Sequence, residues 1–292
     1  MSQTVATRIA WLFVVMLAAV LFHSASAQPR GSVVYGILVL EDKLIVRSTD
    51  LTDQGFSQDL LVVVERPWKE RPHAVFQTIE GKIALISTKL GNAVDNRDSL
   101  ITLGMADQIA GTPPGILSIP ALKANYAITS IVAINENKHL GLIAHFTDTP
   151  PYSVVTINTK NGKVKVLKKF QLSAQTRFGN FTRCPNNDIY ATTLSPEGGV
   201  HLANLKLKQG RIVDQVKLLF NSSGLRDDIH SLACSQSNQL YALADPDYRG
   251  INALFEVDQG TGNMRFVSEF QVDEITFSDP LTPIPDAELP PN

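Results

Sequence analysis

The chain has 292 residues, 26 basic and 28 acidic side chains, and a formal net charge of −2. It carries no basic segment interleaved with aromatic residues and no known nucleic-acid-binding module, so we expect no nucleic-acid partner. The length is sufficient for one large domain.

The first 27 residues have the layout of a signal peptide. Arg8 precedes an apolar run from Ile9 to Phe22, and Ala25-Ser26-Ala27 supplies an A-x-A cleavage site before Gln28. The run is short for a membrane span, and an uncleaved anchor is the alternative. We predict a signal peptide over residues 1–27, a secreted or periplasmic mature chain of about 265 residues, and no stable membrane span after cleavage.

After the signal, strand-length apolar runs alternate with polar turns. The first two repeat units are the less regular ones, with predicted strands at 33–40, 44–47, 60–64, 74–76, 83–86 and 100–103. The segment 105–122 breaks the pattern, and Pro113-Pro114 excludes a central strand there because proline donates no ladder hydrogen bond. We interpret this segment as a long loop or the degenerate edge of a unit, and as a weak site candidate.

Three clear repeat units follow over 127–170, 178–220 and 229–270, and they begin about 50 residues apart. The spacing from the second strand to the third turn is 22 residues from Leu140 to Gly162, 21 from Ile189 to Gly210 and 22 from Leu240 to Gly262. The runs lack the length and the 3.6-residue period of helices. Four short strands per unit indicate a β-propeller, whereas an eight-stranded sandwich does not explain the period.

The last unit resembles the divergent YVTN and quinoprotein-like propeller repeats. In those repeats a strand of the form LYA is followed by a strand that ends in V/I-D-x-x-T-G. The matching residues are Leu240-Tyr241-Ala242 and Val257-Asp258-Gln259-Gly260-Thr261-Gly262. The resemblance implies a propeller architecture and says little about activity. Five clear units, at about 47 residues each in a mature chain of about 265, predict an all-β chain with a single propeller of five or six four-stranded blades over residues 28–277. A sixth blade would come from 105–126, or from pairing of the tail with the N-terminal strand.

The C-terminal segment is acidic and rich in proline. Residues 272–277 could add a last strand, whereas Pro280 onward has the composition of an extended or disordered chain. We predict a disordered tail over residues 278–292.

The two cysteines, Cys184 and Cys234, fall near corresponding positions of consecutive units, just before the first turn. In a propeller these positions lie on neighbouring inner strands, so an oxidising compartment would permit a disulfide bond between them. The alternative is that repeat similarity alone places two small buried residues there.

Charge is distributed unevenly along the chain. Residues 160–217 hold 11 basic and 3 acidic side chains, whereas residues 218–292 hold 3 basic and 12 acidic ones. The basic excess represents either solvated strand faces or a surface for an anionic partner, such as an acidic polysaccharide or membrane headgroups. The candidate residues of this basic surface are Lys163, Lys165, Lys168, Lys169, Lys206, Lys208 and Arg211.

No motif predicts a catalytic, cofactor or metal site. The histidines have no metal-ligand spacing, and the sequence lacks G-x-S-x-G. Asn and Asp recur in the first turn of each unit, where turn chemistry alone favours them. Asp227-Asp228 and Asp245-Pro246-Asp247 pair carboxylates as a glycosidase would need, and inter-strand turns explain them as well. Asn221, in a polar linker, is a glycosylation candidate if the source is eukaryotic.

We therefore predict a secreted binding module for a protein or an anionic glycan, with no catalysis and no cofactor. The first alternative is a propeller hydrolase, lactonase-like or glycosidase-like, with acidic, amide or metal groups at the mouth of the channel. The second is a structural extracellular protein that uses the basic region for adhesion.

Overall fold

The computed structural model describes residues 33–52, 58–65, 71–89, 97–104, 108, 111–120, 122, 125–145, 147–170, 172–194 and 196–289. The predicted signal peptide and the last three residues lie outside the described part. Among the described elements, none is a helix with the length and apolarity that a membrane crossing requires.

The described chain is built almost entirely from strands. In chain order these are β1 (Val33–Val39), β2 (Lys43–Asp50), β3 (Gln58–Glu65), β4 (Arg71–Gln77), β5 (Ile83–Lys89), β6 (Arg97–Leu103), β7 (Gly115–Ile119), β8 (Tyr126–Asn135), β9 (Lys138–His145), β10 (Ser153–Asn158), β11 (Val164–Val166), β12 (Arg177–Arg183), β13 (Ile189–Leu194), β14 (Val200–Lys206), β15 (Arg211–Lys217), β16 (Leu219–Phe220), β17 (Ser223–Gly224), β18 (Ser231–Cys234), β19 (Leu240–Ala244), β20 (Ala253–Val257), β21 (Met264–Glu269) and β22 (Glu274–Thr276). Two short 3-10 helices lie at Leu207–Gln209 and Asp286–Glu288.

Five four-stranded antiparallel sheets form the blades of a β-propeller, which confirms the predicted fold class and selects five blades over six. From the centre outward, the strand orders are β22-β1-β2-β3, β4 to β7, β8 to β11, β12 to β15 and β18 to β21, which we number blades 1 to 5. The innermost strands β22, β4, β8, β12 and β18 each contact the next one, and β18 contacts β22, so they close a ring around a central channel. The irregular segment 105–122 contributes β7, which begins after Pro114 and is the outer strand of blade 2.

The two ends of the chain meet in blade 1. β22 pairs with β1 through Tyr35↔Thr276, Gly36↔Ile275 and Ile37↔Glu274. The predicted pairing of the tail with the N-terminal strand therefore exists, but it completes the first of five blades and does not add a sixth. This closure joins the N-terminal and C-terminal parts of the described chain in one sheet, with β22 as its inner strand.

The blades pack face to face through five apolar clusters, one at each blade interface. Strand β5 shows why its sequence is continuously apolar. Ile83 and Leu85 belong to the cluster between blades 1 and 2, whereas Ala84 and Ile86 belong to the cluster between blades 2 and 3. Because both faces of a middle strand are covered, the two-residue alternation of a half-exposed strand disappears.

The glycines that mark the repeat spacing occupy equivalent places between blades. Gly162, Gly210 and Gly262 lie in the turns between the third and fourth strands, with φ of 68°, 62° and 75°. A Cβ at Gly210 would lie 2.8 Å from the carbonyl oxygen of Lys169, and Gly162 and Gly262 meet the backbone of the preceding blade in the same way. Both the left-handed backbone and the close approach require glycine at this point of each repeat.

The topology defines two faces of the propeller. The turn face carries the turns between the first and second strands of blades 2 to 5, at 78–82, 136–137, 184–188 and 235–239. The loop face carries the connections between consecutive blades and those between second and third strands, because antiparallel strands return the chain to the opposite end.

The segment after β22 crosses the turn face. Composition predicted an extended or disordered chain here, and the structure describes a chain that is extended as far as Pro285 and ends in the 3-10 helix Asp286–Glu288. Leu281 donates its backbone N–H to Ile79 (3.0 Å), and Ile284 donates its own to Ile134 (2.8 Å). Both side chains are buried, at 5% and 1% exposure, and Asp286 forms an ion pair with Lys138 at 2.8 Å. The segment thus covers one mouth of the channel.

Candidate functional site

A cavity of about 550 Å³ opens on the loop face between blades 4 and 5. It lies between the connection 220–230, which precedes β18, and the loop 244–248, which follows β19. Its apolar lining comes from Phe220, Leu225, Ala244 and Pro246, and its polar lining includes Arg226, Asp227, Asp228, His230, Asp245, Asp247 and Tyr248. The size and mixed lining are those of a small-molecule site.

Asp245 fixes the conformation of the loop 244–248 on one side of this cavity through hydrogen bonds to the backbone. The Asp245 carboxylate accepts hydrogen bonds from the backbone N–H groups of Arg249 (3.0 Å) and Gly250 (2.6 Å). The Tyr248 hydroxyl reaches Asp227, and this hydrogen bond is the main cause that raises the pKa of Tyr248. The two acidic pairs, Asp227-Asp228 and Asp245-Pro246-Asp247, therefore line one cavity, and Asp245 also serves as a turn residue.

Asp228 is the carboxylate with the most altered acidity in the cavity. Burial raises the pKa of Asp228 to about 6. Three contacts act in the opposite direction and lower this pKa: the hydrogen bond from Thr192 (3.2 Å), the hydrogen bond from the backbone N–H of Ile229 (2.9 Å) and the charge of Arg177. Asn180 holds this arrangement by donating to Thr192 Oγ1 (3.1 Å) and to the Ile229 carbonyl (3.0 Å). A carboxyl group of this acidity can donate or accept a proton near neutral pH.

A second polar network lies beside Asp228 on the loop face. Arg177 binds the carboxylate of Asp148 through Nε (2.8 Å) and Nη2 (2.7 Å). The Tyr152 hydroxyl donates to the Asp148 carbonyl at 2.8 Å, and burial followed by the charge of Asp148 raises the pKa of Tyr152. These contacts link blades 3 and 4 next to the cavity.

The loop-face mouth of the central channel is lined by one carboxylate, Glu274, and one amide, Asn180, among the described residues. The remaining polar lining comes from the hydroxyl groups of Thr129, Ser130 and Ser231. Within the described ranges no group of three or more His, Cys, Asp or Glu side chains is arranged to hold a metal ion. The cavity between blades 4 and 5 has four carboxylates in its described lining, Asp227, Asp228, Asp245 and Asp247.

The predicted disulfide is present. Cys184 and Cys234 lie at the ends of the neighbouring inner strands β12 and β18, with their Cα atoms 5.1 Å apart and their sulfur atoms bonded. The Asn residues of the first turns also take the expected part, since Asn187 and Asn238 have φ of 72° and 63°, and Asn238 Oδ1 accepts from the backbone of Asn186 at 2.9 Å.

The structure brings together the two halves of the basic surface. Lys163, Lys165, Lys168 and Lys169 lie on and around β11 of blade 3, whereas Lys206, Lys208 and Arg211 lie around the outer turn of blade 4. The contact of Gly210 with the carbonyl of Lys169 joins these two outer edges. Lys206 is half-buried and the other six side chains are exposed. None of the seven forms an ion pair with a described carboxylate.

Asn221, the glycosylation candidate, lies in the turn between β16 and β17 and is exposed on the rim of the cavity. Its modification stays a prediction. Two features had no signal in the sequence. Thr192, which donates to Asp228, and Asn180, which donates to Thr192, are distant from Asp228 in the chain and belong to another blade. The packing of 278–289 was hidden by a composition typical of a disordered segment.

No protein-family model matches the chain, and no curated protein matches it either. Solved structures that resemble it include the dipeptidyl peptidase 4 of Porphyromonas gingivalis (11% identity, 80% of this chain and 37% of that one, TM-score 0.36). Another is a gluconolactonase of Xanthomonas campestris (8% identity, 84% of this chain and 78% of that one, TM-score 0.43). A third is an engineered GH43 glycoside hydrolase (11% identity, 83% of this chain and 52% of that one, TM-score 0.48). The chain thus spans about a third of the peptidase and half of the glycoside hydrolase, and likenesses this distant carry no argument about activity.

The class of the protein therefore follows from its own fold, a five-bladed β-propeller with a disulfide between inner strands. The propeller part of the sequence resemblance is confirmed, and membership of the YVTN or quinoprotein-like repeats stays a prediction.

Proposed function

We propose that this chain is an exported propeller that binds an anionic glycan on its basic surface and catalyses no reaction. The observation that carries the proposal is the joining of two separate lysine-rich segments into one exposed surface, whose cations form no ion pair with the described carboxylates. Unpaired cations on one side of a molecule attract polyanions, and the attraction weakens as salt screens it. The disulfide supports export, since such bonds persist in oxidising compartments.

The proposal is tested by retention on a sulfated-polysaccharide column. The variant Lys163→Glu, Lys165→Glu, Lys168→Glu, Lys169→Glu removes the blade 3 half of the surface. If each lysine contributes about 0.5 kcal/mol, the loss is about 2 kcal/mol, or roughly 30-fold in affinity. We expect the wild-type protein to bind at low salt and to elute as salt increases, and the variant to pass through.

A matched control changes the charge equally but elsewhere. Lys43, Lys82, Arg249 and Arg265 each lie next to a carboxylate of their own. Their replacement by Glu should leave most of the retention, because the basic surface is intact. Equal losses in the two variants would show that only net charge matters, and wild-type protein that passes through at low salt would refute the binding proposal.

One observation favours a hydrolase as the second candidate. Asp228, with a pKa raised to about 6, lies with Asp227 on the wall of a cavity large enough for a sugar ring. One protonated and one ionised carboxyl group are what glycoside cleavage requires. Turnover of aryl glycosides or lactones that disappears in Asp228→Asn would support this candidate. Stoichiometric Ca²⁺ or Zn²⁺ in purified protein would also favour a lactonase-like site, and the absence of turnover supports the binding proposal.

A further inference from the structure

Arg183 places a positive charge inside the central channel. It is the last residue of the inner strand β12 and is 3% exposed. Its Nη1 donates to the carbonyls of Ala133 (2.9 Å) and Ile134 (3.2 Å), on the neighbouring inner strand. Its Nη2 donates to Asn187 Oδ1 and to the carbonyl of Thr282, in the segment that crosses the turn face.

These contacts account for four of the five N–H groups of the guanidinium. The fifth, on Nε, is buried and has no hydrogen-bond acceptor among the residues that the structure describes. All four acceptors are neutral oxygens, so no carboxylate among them neutralises the charge. Burial without a compensating charge lowers the pKa of Arg183 to about 10. A buried cation of this kind is costly unless an anion lies beside it.

A small cavity lies against Arg183 in the channel. It offers about 10 Å³ to the centre of a water-sized sphere, which is room for one water molecule or one monatomic ion. Gln77, Thr182 and Thr276 supply polar lining, and Phe76, Phe277 and Leu281 supply apolar lining. Leu281 belongs to the crossing segment, so this segment forms part of the cavity wall.

We propose that this cavity is a binding site for one monatomic anion, such as chloride, which accepts the hydrogen bond from Nε of Arg183. A water molecule would satisfy the N–H group but leave the charge uncompensated, whereas a halide does both. The cavity excludes larger anions such as sulfate by its volume. The site is independent of the basic surface and of the cavity on the loop face.

Bromide is the direct probe, because it replaces chloride and scatters X-rays anomalously. Crystals of the wild-type protein grown without halide and soaked in bromide should show one anomalous peak within hydrogen-bonding distance of the Arg183 guanidinium. A peak-free channel with only water density would overturn the proposal. This measurement needs no variant, so it stands even if Arg183 is required for folding.

The site also predicts a chloride-dependent stability in solution. With a dissociation constant on the order of 10 mM, raising chloride from about 1 to 300 mM stabilises the folded state roughly 30-fold, and the unfolding midpoint rises by about 4–8 °C. Ionic strength is kept constant with isethionate, which is too large for the cavity. An identical midpoint in both salts contradicts the proposal.

Two variants locate the effect. Arg183→Gln should lose the chloride dependence of the midpoint, because it lacks both the charge and the Nε donor. Lys138→Gln is the matched control, since Lys138 also binds the crossing segment but lies outside the channel. It should keep the wild-type response. A chloride response that persists in Arg183→Gln would place the anion elsewhere and refute the site.

Discussion

Reduction of the bond between Cys184 and Cys234 should destabilise the propeller strongly. The bond closes a loop with a sequence separation of 50 residues. On the chain-entropy account, a loop of this length restricts the unfolded chain by about 4 kcal/mol, which is a large part of the 5–15 kcal/mol typical of a domain. The two cysteines are 0% and 3% exposed, so the bond must be reduced in the unfolded protein before it is refolded for the comparison.

The assay is urea unfolding of oxidised and reduced wild-type protein, followed by circular dichroism. We expect the free energy of unfolding to fall by about 4 kcal/mol on reduction. The double variant with alanine at both positions should fall further, because it also loses the packing of two buried sulfur atoms. Titration of thiols in denatured, unreduced protein should find none. Two titratable thiols, or unfolding curves that coincide, would contradict this prediction.

Two further predictions concern single residues. Gly262→Ala should cost several kcal/mol in urea unfolding, because φ is 75° and a Cβ would overlap the carbonyl of Lys217. Gly250→Ala, with φ of 71° but open space around it, should cost only about 1–2 kcal/mol, and equal losses would show that the backbone conformation alone matters. Asp228 has a pKa near 6 in the folded state against 3.8 for its ordinary value, so it stabilises the fold below pH 4 and loses this contribution as pH rises through 6. The difference in stability between wild type and Asp228→Asn should therefore change with pH across this window, by on the order of 2 kcal/mol, and a constant difference would contradict the shift.

The repeat architecture was readable from local chemistry. Gly162, Gly210 and Gly262 recur because each third turn needs the left-handed backbone and contacts the preceding blade. Short strands with turn residues at constant spacing cannot bury their apolar faces alone and must pack against one another. The same spacing placed Cys184 and Cys234 on adjacent strands, where the bond forms.

The cavity between blades 4 and 5 and the basic surface were harder to predict from the sequence. Asp227-Asp228 and Asp245-Pro246-Asp247 were visible as acidic pairs, but their common cavity depends on how blade 5 docks on blade 4. The acidity of Asp228 depends on burial, which has no local signature. The two lysine clusters were visible separately, and their junction through Gly210 and Lys169 is a contact between blades.

The period and the turn residues act over a few neighbouring positions. The order of residues was therefore enough to specify an all-β repeat protein and its strand spacing, and to place the two cysteines where a bond was possible. Four features could not be predicted from the order of residues. They are the number of blades, the pairing of β1 with β22, the path of residues 278–289 across the channel and the isolated charge of Arg183. Each of them depends on contacts between residues that are far apart in the chain. The free energy of these contacts depends on which surfaces the closed ring of blades buries and which it leaves exposed.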